Sequence, residues 1–239
     1  MSVLRVENLS KRYGKKQVLK GITCEFHTGI NALLGPNGAG KTTIMNCISG
    51  VIKKSGGSVT LDGQDVFEMG EKYREKLSFQ FQYQPFYPSY TAHEFLRFSA
   101  LLKGMPEPLI EDEIRRVLGL VNLSENLDDK IKSFSGGMKQ RLAIARAVAR
   151  MPEILIFDDS FSALDYKTDR ALREKIKNDL KGTTCMIVAQ RIGTIRHADK
   201  IVVLDNGEAV GIGTHEELMK KCPVYQEIAL SQLSQSELE

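Results

Sequence analysis

The stretch "NALLGPNGAGKTTIMNCISG", residues 31–50, decides the fold. An apolar run enters a glycine-rich turn, and a helix-forming run leaves it with Lys41 and Thr42 at its start. The spacing is G-x-x-x-x-G-K-[ST] in a strand-to-helix setting. Such a turn is a phosphate cradle. Gly35, Gly38 and Gly40 let backbone amides curl around an anion, and the helix N-terminus adds its positive end. Lys41 reaches the β- and γ-phosphates of a nucleotide, and Thr42 supplies a hydroxyl to Mg²⁺.

Two further stretches complete the constellation. "EILIFDD", residues 153–159, reads as a buried parallel strand whose carboxyl end delivers Asp158 beside the loop to hold magnesium, directly or through water. Asp159 follows where a general base or water-positioning group is wanted. In "IKSFSGGMKQRLAIARAVAR", residues 131–150, Ser135, Gly136 and Gly137 precede an amphipathic pattern, which predicts a helix with a serine cap and bare backbone amides. That is a second anion site. One nucleotide does not need two in one chain, so the second is expected to cover a nucleotide held by a partner.

Composition sets the bounds. A chain of 239 residues with 42% hydrophobic content is long and apolar enough for one large domain. No run approaches the roughly 18 apolar residues of a membrane helix, and "SVLRVENLSKRYG" after Met1 lacks a signal peptide's apolar core, so a soluble chain is expected. Cys24, Cys47, Cys185 and Cys222 lie among apolar residues without metal-ligand spacing and read as reduced thiols. A net charge of +3 is too small to imply nucleic acid. His27, His93, His197 and His215 also lack metal-ligand spacing.

On these motifs the chain resembles the nucleotide-binding domain of an ABC (ATP-binding cassette) transporter over almost its whole length. The resemblance implies ATP and Mg²⁺ as cofactors. It also implies two such domains, as homodimer or heterodimer, sandwiching two ATP molecules head to tail. A transmembrane transporter subunit would be the partner, at the cytoplasmic face of the membrane. By motif, "GPNGAGKTT" is similar to the Walker A loop, with Gly35, Asn37, Gly38, Ala39, Gly40, Lys41, Thr42 and Thr43 around the nucleotide. "RYGKKQVL" resembles the adenine-stacking A-loop, with Tyr13 and Val18. "SFSGGMKQR" resembles the signature that begins LSGGQ in many members, with Phe134 and Met138 substituted but Ser135, Gly136 and Gly137 intact. "SALD", ending at Asp165, resembles the D-loop at the dimer interface. For the Q-loop, "FQFQYQPFYPSYTAHEF" offers Gln80, Gln82 and Gln84; Gln82 aligns best, to touch Mg²⁺ and the attacking water, and the other two stay open. Phe86, Tyr87, Phe95 and Phe98 are candidates for a groove receiving a membrane subunit, or for the helical core.

Two positions depart from the family pattern. Glutamate usually follows the Walker B aspartate, whereas Asp159 is a methylene shorter, roughly 1.5 Å of reach. In "TTCMIVAQRIGTI", Gln190 takes the place of the switch histidine and cannot carry a proton. Both changes weaken hydrolysis and leave binding groups in place, as in the degenerate site of heterodimeric ABC exporters. Residues up to about 140 resemble the ATPase subunits of ABC-2 type export systems, while those from about Ala143 onward resemble a heterodimeric exporter domain. That split implies either a recombinant joined near the signature helix, which would bind ATP without coupling, or a natural subfamily of mixed features. A soluble non-transport ABC ATPase is a further alternative, but such proteins generally carry a long coiled-coil insertion or two cassettes.

The expected architecture is α/β. It has a P-loop NTPase core of mainly parallel sheet (residues 1–85 and 152–222), an antiparallel β portion ("LRVENLSKRY", "KGITCEF", "GSVTLDG"), and an inserted helical subdomain (86–151). "PLIEDEIRRVLGLVNL" is predicted as one amphipathic helix, and the tail 223–239 as a short helix with a polar end.

Overall fold

The computed structural model describes residues 2–81, 85–158 and 166–232. Two sheets organise it. Strands β1 (Leu4–Tyr13), β2 (Lys16–Phe26), β4 (Gly56–Leu61) and β5 (Gln64–Asp65) form an antiparallel sheet in the order β2-β1-β4-β5. The second sheet contains β3 (Gly29–Leu34), β6 (Leu77–Gln80), β7 (Ile154–Asp158), β8 (Thr184–Ala189), β9 (Lys200–Asp205) and β10 (Glu208–Gly213), in the order β10-β9-β3-β8-β7-β6. Its strands pair in parallel except for β10, which lies antiparallel on β9 at one edge.

Burial on both faces explains the parallel sheet. Every residue of β8 is buried, as are the last four of β3 and the first four of β7, so continuous apolar runs replace alternation. One face carries Ala32, Leu34, Leu155, Phe157, Ile187 and Val203 into a core shared with helices. The other carries Leu33, Ile154, Ile156, Met186, Val188 and Val202 against α1 (Lys41–Ile48) and the antiparallel sheet. Helices α2 (Val66–Met69) and α3 (Glu71–Lys76) lead into β6. The segment between β6 and β7 is helical where it is regular: α4 (Ala92–Leu102), α5 (Glu107–Leu120) and α6 (Gly136–Val148). Helices α7 (Tyr166–Asp179), α8 (Ile192–Ile195), α9 (His215–Lys221) and α10 (Pro223–Gln232) complete the chain. The α/β class, the antiparallel strands and the amphipathic helix read from the sequence are all present, the helix as α5.

Helix ends divide into two kinds. α4 and α9 close their own N-termini with capping boxes, Thr91 with Glu94 and Thr214 with Glu217. α1 starts at Gly40 with no side-chain cap and no acidic residue in its first turn, so no side chain of that turn neutralises its positive end.

None of the four cysteines forms a disulfide, and all are buried. No described helix is long and apolar enough to cross a membrane.

At the seam between α4 and the sheet, Lys103 is held in a basic cluster. Its Nζ donates to Ser78 Oγ at 3.3 Å and to the Arg146 carbonyl at 3.4 Å, and the Arg150 guanidinium donates to the Lys103 carbonyl. Burial, with Arg146 and Arg150 nearby, pushes the Lys103 ammonium down to about 8, against a smaller opposing effect of Glu113. The native chain therefore releases this proton at lower pH than the unfolded chain, whose lysine titrates at its ordinary 10.5. Stability should rise with pH between about 8 and 10, where the unfolded state binds more protons. Urea unfolding across that window should show the rise in the wild type and a flatter profile in Lys103→Met; equal slopes would contradict it.

Candidate functional site

Register brings three strand ends to one edge. Leu34 of β3 pairs with Ala189 of β8, and Asp158 of β7 pairs with Val188, so these three strand ends lie side by side. They line a cleft of about 380 Å³ with Lys16, Val18, Asn37, Gly38, Gly40, Lys41, Thr42, Thr43, Asp158, Val188, Ala189 and Gln190. β3 is flanked by β8 and β9, neither adjacent in sequence, so the cleft lies where the strand order switches, the usual place for a ligand in such sheets.

The loop before α1 is shaped by what its glycines avoid. A Cβ on Gly35 would lie 2.2 Å from the Leu204 carbonyl oxygen, so only glycine lets the loop pass under β9. Gly38 has open space around it but φ +84°, a backbone conformation that L side chains rarely adopt. The turn between β9 and β10 braces the loop from behind: the Gly207 amide donates to the Ala39 carbonyl at 3.1 Å, and the Gly207 carbonyl accepts from the Lys20 amide at 2.9 Å. Lys41 is buried to 8% exposure, with Nζ donating to the carbonyls of Gly35 at 2.6 Å and Pro36 at 2.9 Å. Its ammonium is thus anchored inside the loop.

Thr42 and Asp158 line the same cleft. A hydroxyl and a carboxylate are hard oxygen donors, the set that suits Mg²⁺ when phosphate and water fill its other positions. The residues present fit the ion. Gln190 is exposed at the end of β8 and also lines the cleft.

The other sequence-derived residues fall elsewhere. Val18 lines the cleft, whereas Tyr13, half-exposed at the end of β1, stands outside its lining with the Lys11 ammonium 5.0 Å from its ring centre. Ser135 caps α6, its Oγ accepting from the Met138 amide at 3.2 Å, and Gly136 beside it is exposed with nothing near its Cα face. Neither joins the cleft lining. Gln80 is fully buried; its Nε2 donates to the Phe81 carbonyl at 3.0 Å and its Oε1 accepts from Arg146 at 3.2 Å. Of the two alternatives to Gln82, this one is committed to the core. Gln82, Gln84, Asp159 and Asp165 lie outside the described residues. Among the aromatic residues, Phe95 is core and packs on Phe86, while half-exposed Tyr87 meets Phe98 edge-on at 5.7 Å.

Sequence reasoning missed Lys16, Gly207 and Gln232. "DNGE" marks a hairpin turn at residues 205–208, but no local signal says that the turn docks on the loop before α1. Gln232 reaches the cleft's edge from the last helix, with its side chain bonded to the backbone at residues 190 and 192.

Comparison with known proteins agrees with this geometry. The ABC transporter family matches residues 19–162. The linearmycin resistance ATP-binding protein LnrL of Bacillus subtilis (strain 168) is 34% identical over 222 residues, 92% of this chain and 71% of that one. A solved structure of the ATP-binding subunit of an ABC transporter superposes with a TM-score of 0.83 at 28% identity, covering 96% of this chain and 98% of that chain. A bacterial Atm1-family ABC exporter with ATP bound superposes with a TM-score of 0.88 at 25% identity, covering 98% of this chain and 42% of that chain. The open helix end, the lysine-anchored loop and the matched residues lead to one assignment: this chain belongs to the ABC transporter family and is an ATP-binding domain of it.

Proposed function

We infer that this chain is the MgATP-binding subunit of an ABC transporter and that it closes on a second nucleotide-binding domain to drive a transmembrane subunit at the cytoplasmic face of a membrane. The observation that carries the reading is the convergence of Lys41, Thr42, Asp158 and Gln190 on one cleft. Lys41 and the N-terminus of α1 bind the β- and γ-phosphates. Thr42 and Asp158 hold Mg²⁺, with Gln82 as an additional contact; when bound, the ion neutralises charge on the phosphates. Val18 and Tyr13 meet the adenine. Ser135 and Gly136, exposed, and Gly137, half-buried, lie away from the chain's own cleft and serve the nucleotide of the partner domain, as homodimer or heterodimer, with Asp165 at the interface. Exporter function rests on resemblance alone. The family match crosses the junction expected near Ala143, so both sides of it belong to one family whichever lineage each came from.

Hydrolysis at the chain's own Walker site is slow in this account. Gln190 donates a hydrogen bond to the γ-phosphate but carries no charge or proton, and Asp159 falls short of the attacking water. General-base contributions of roughly 10²- to 10⁴-fold set the scale of the loss. Steady-state MgATP turnover should therefore be low in the wild type and rise by roughly 10²-fold or more in Asp159→Glu with Gln190→His. Wild-type turnover as fast as that double variant would refute the degenerate site.

A further inference from the structure

One side chain pins the backbone on both sides of Arg191. Gln232, at the end of α10, donates from Nε2 to the Gln190 carbonyl at 2.8 Å, and its Oε1 accepts from the Ile192 amide at 2.9 Å. The partners are 42 and 40 residues away in sequence. Ile192 opens α8, and its cap residue Arg191 makes no side-chain cap bond. Arginine has no acceptor to offer an amide. α10 therefore supplies the cap that Thr91 and Thr214 supply within their own helices.

Gln232 is itself held by a fixed element. Tyr225 of α10 is fully buried and its hydroxyl lies 2.8 Å from His215 Nδ1; Ala229 is fully buried; Gln226 Nε2 donates to the Met219 carbonyl at 2.7 Å. Removing the Gln232 amide leaves these contacts intact.

We propose that Gln232 is a positioning residue of the nucleotide site, fixing the Gln190 backbone so that the Gln190 side chain meets the γ-phosphate. The inference rests on the reading of Gln190 given above. A long amide side chain aims accurately only from a fixed backbone, and here two hydrogen bonds fix it. The last helix thereby becomes part of γ-phosphate recognition, while binding of the β-phosphate and adenine stays independent of it.

The test uses the full chain and two readouts: the ratio of MgATP to MgADP affinity, which isolates the γ-phosphate contact, and hydrogen exchange of the Ile192 amide. Gln232→Ala should speed Ile192 exchange and lower the affinity ratio by roughly 3- to 10-fold, the scale of one lost hydrogen bond, with MgADP affinity unchanged. Gln232→Glu keeps an acceptor for the Ile192 amide but turns an oxygen toward the Gln190 carbonyl; it should retain exchange protection yet lower the ratio. Gln190→Ala should lower the ratio to a similar extent, and Gln232→Ala added to it should lower it no further. If Gln190→Ala lowers the ratio and Gln232→Ala speeds exchange without changing it, the positioning role is overturned and the reading of Gln190 stands. If Gln190→Ala leaves the ratio unchanged, the reading of Gln190 fails and the positioning role with it. Unchanged Ile192 exchange in Gln232→Ala overturns the clamp.

Discussion

The pairing of Leu34 with Ala189, and of Asp158 with Val188, is the constraint on which the site depends. Parallel strands buried on both faces have little freedom of register, because a shift of one residue exchanges the apolar sets that meet α1 on one side and the helical layer on the other. With the register fixed, the loop after β3, the carboxylate ending β7 and the glutamine after β8 must emerge together. The chemistry is thus placed by hydrophobic packing some distance below it. The polar residues have only to occupy strand ends already brought into line.

Backbone supplies much of the rest. α1 begins at a glycine with no side-chain cap, in a chain whose other helices show that capping boxes were available. A helix start without a capping side chain forgoes the stability that a cap contributes, and its positive end is left for an anion, the arrangement that phosphate sites use. The loop cannot rely on that ligand for its shape. Its shape comes instead from Gly35 passing beneath the Leu204 carbonyl, from the Gly207 brace and from the Lys41 ammonium hydrogen-bonded to two loop carbonyls. α6 differs, since Ser135 uses its own hydroxyl on the Met138 amide.

Much of this was legible in the sequence because it is local. The glycine-rich loop before α1, the strand ending in Asp158 and the serine-capped helix α6 each announce themselves within about ten residues. What was not legible depends on contacts between distant segments. Gln80, Gln82 and Gln84 share a parity, so alternation along a strand cannot separate them; β6 ends at Gln80, whose amide is taken by Arg146 of α6 and by the neighbouring carbonyl. Lys103 reads as an ordinary helix-end cation until Arg146 and Arg150 are folded against it. Gln232 sits in a polar tail with no motif, and its two partners lie in a segment that sequence reading treats by itself.

The central claim is that the cleft above β3 and β7 takes a nucleoside triphosphate through the loop's lysine. Calorimetric titration of MgATP into the 239-residue chain and into Lys41→Ala, with unfolding checked on both, is the measurement that decides this. Saturable binding of one nucleotide per chain is expected, weakened by roughly tenfold or more on loss of the charge-assisted phosphate contacts. Equal affinity in the two proteins, or no binding to a folded wild-type chain, would contradict it.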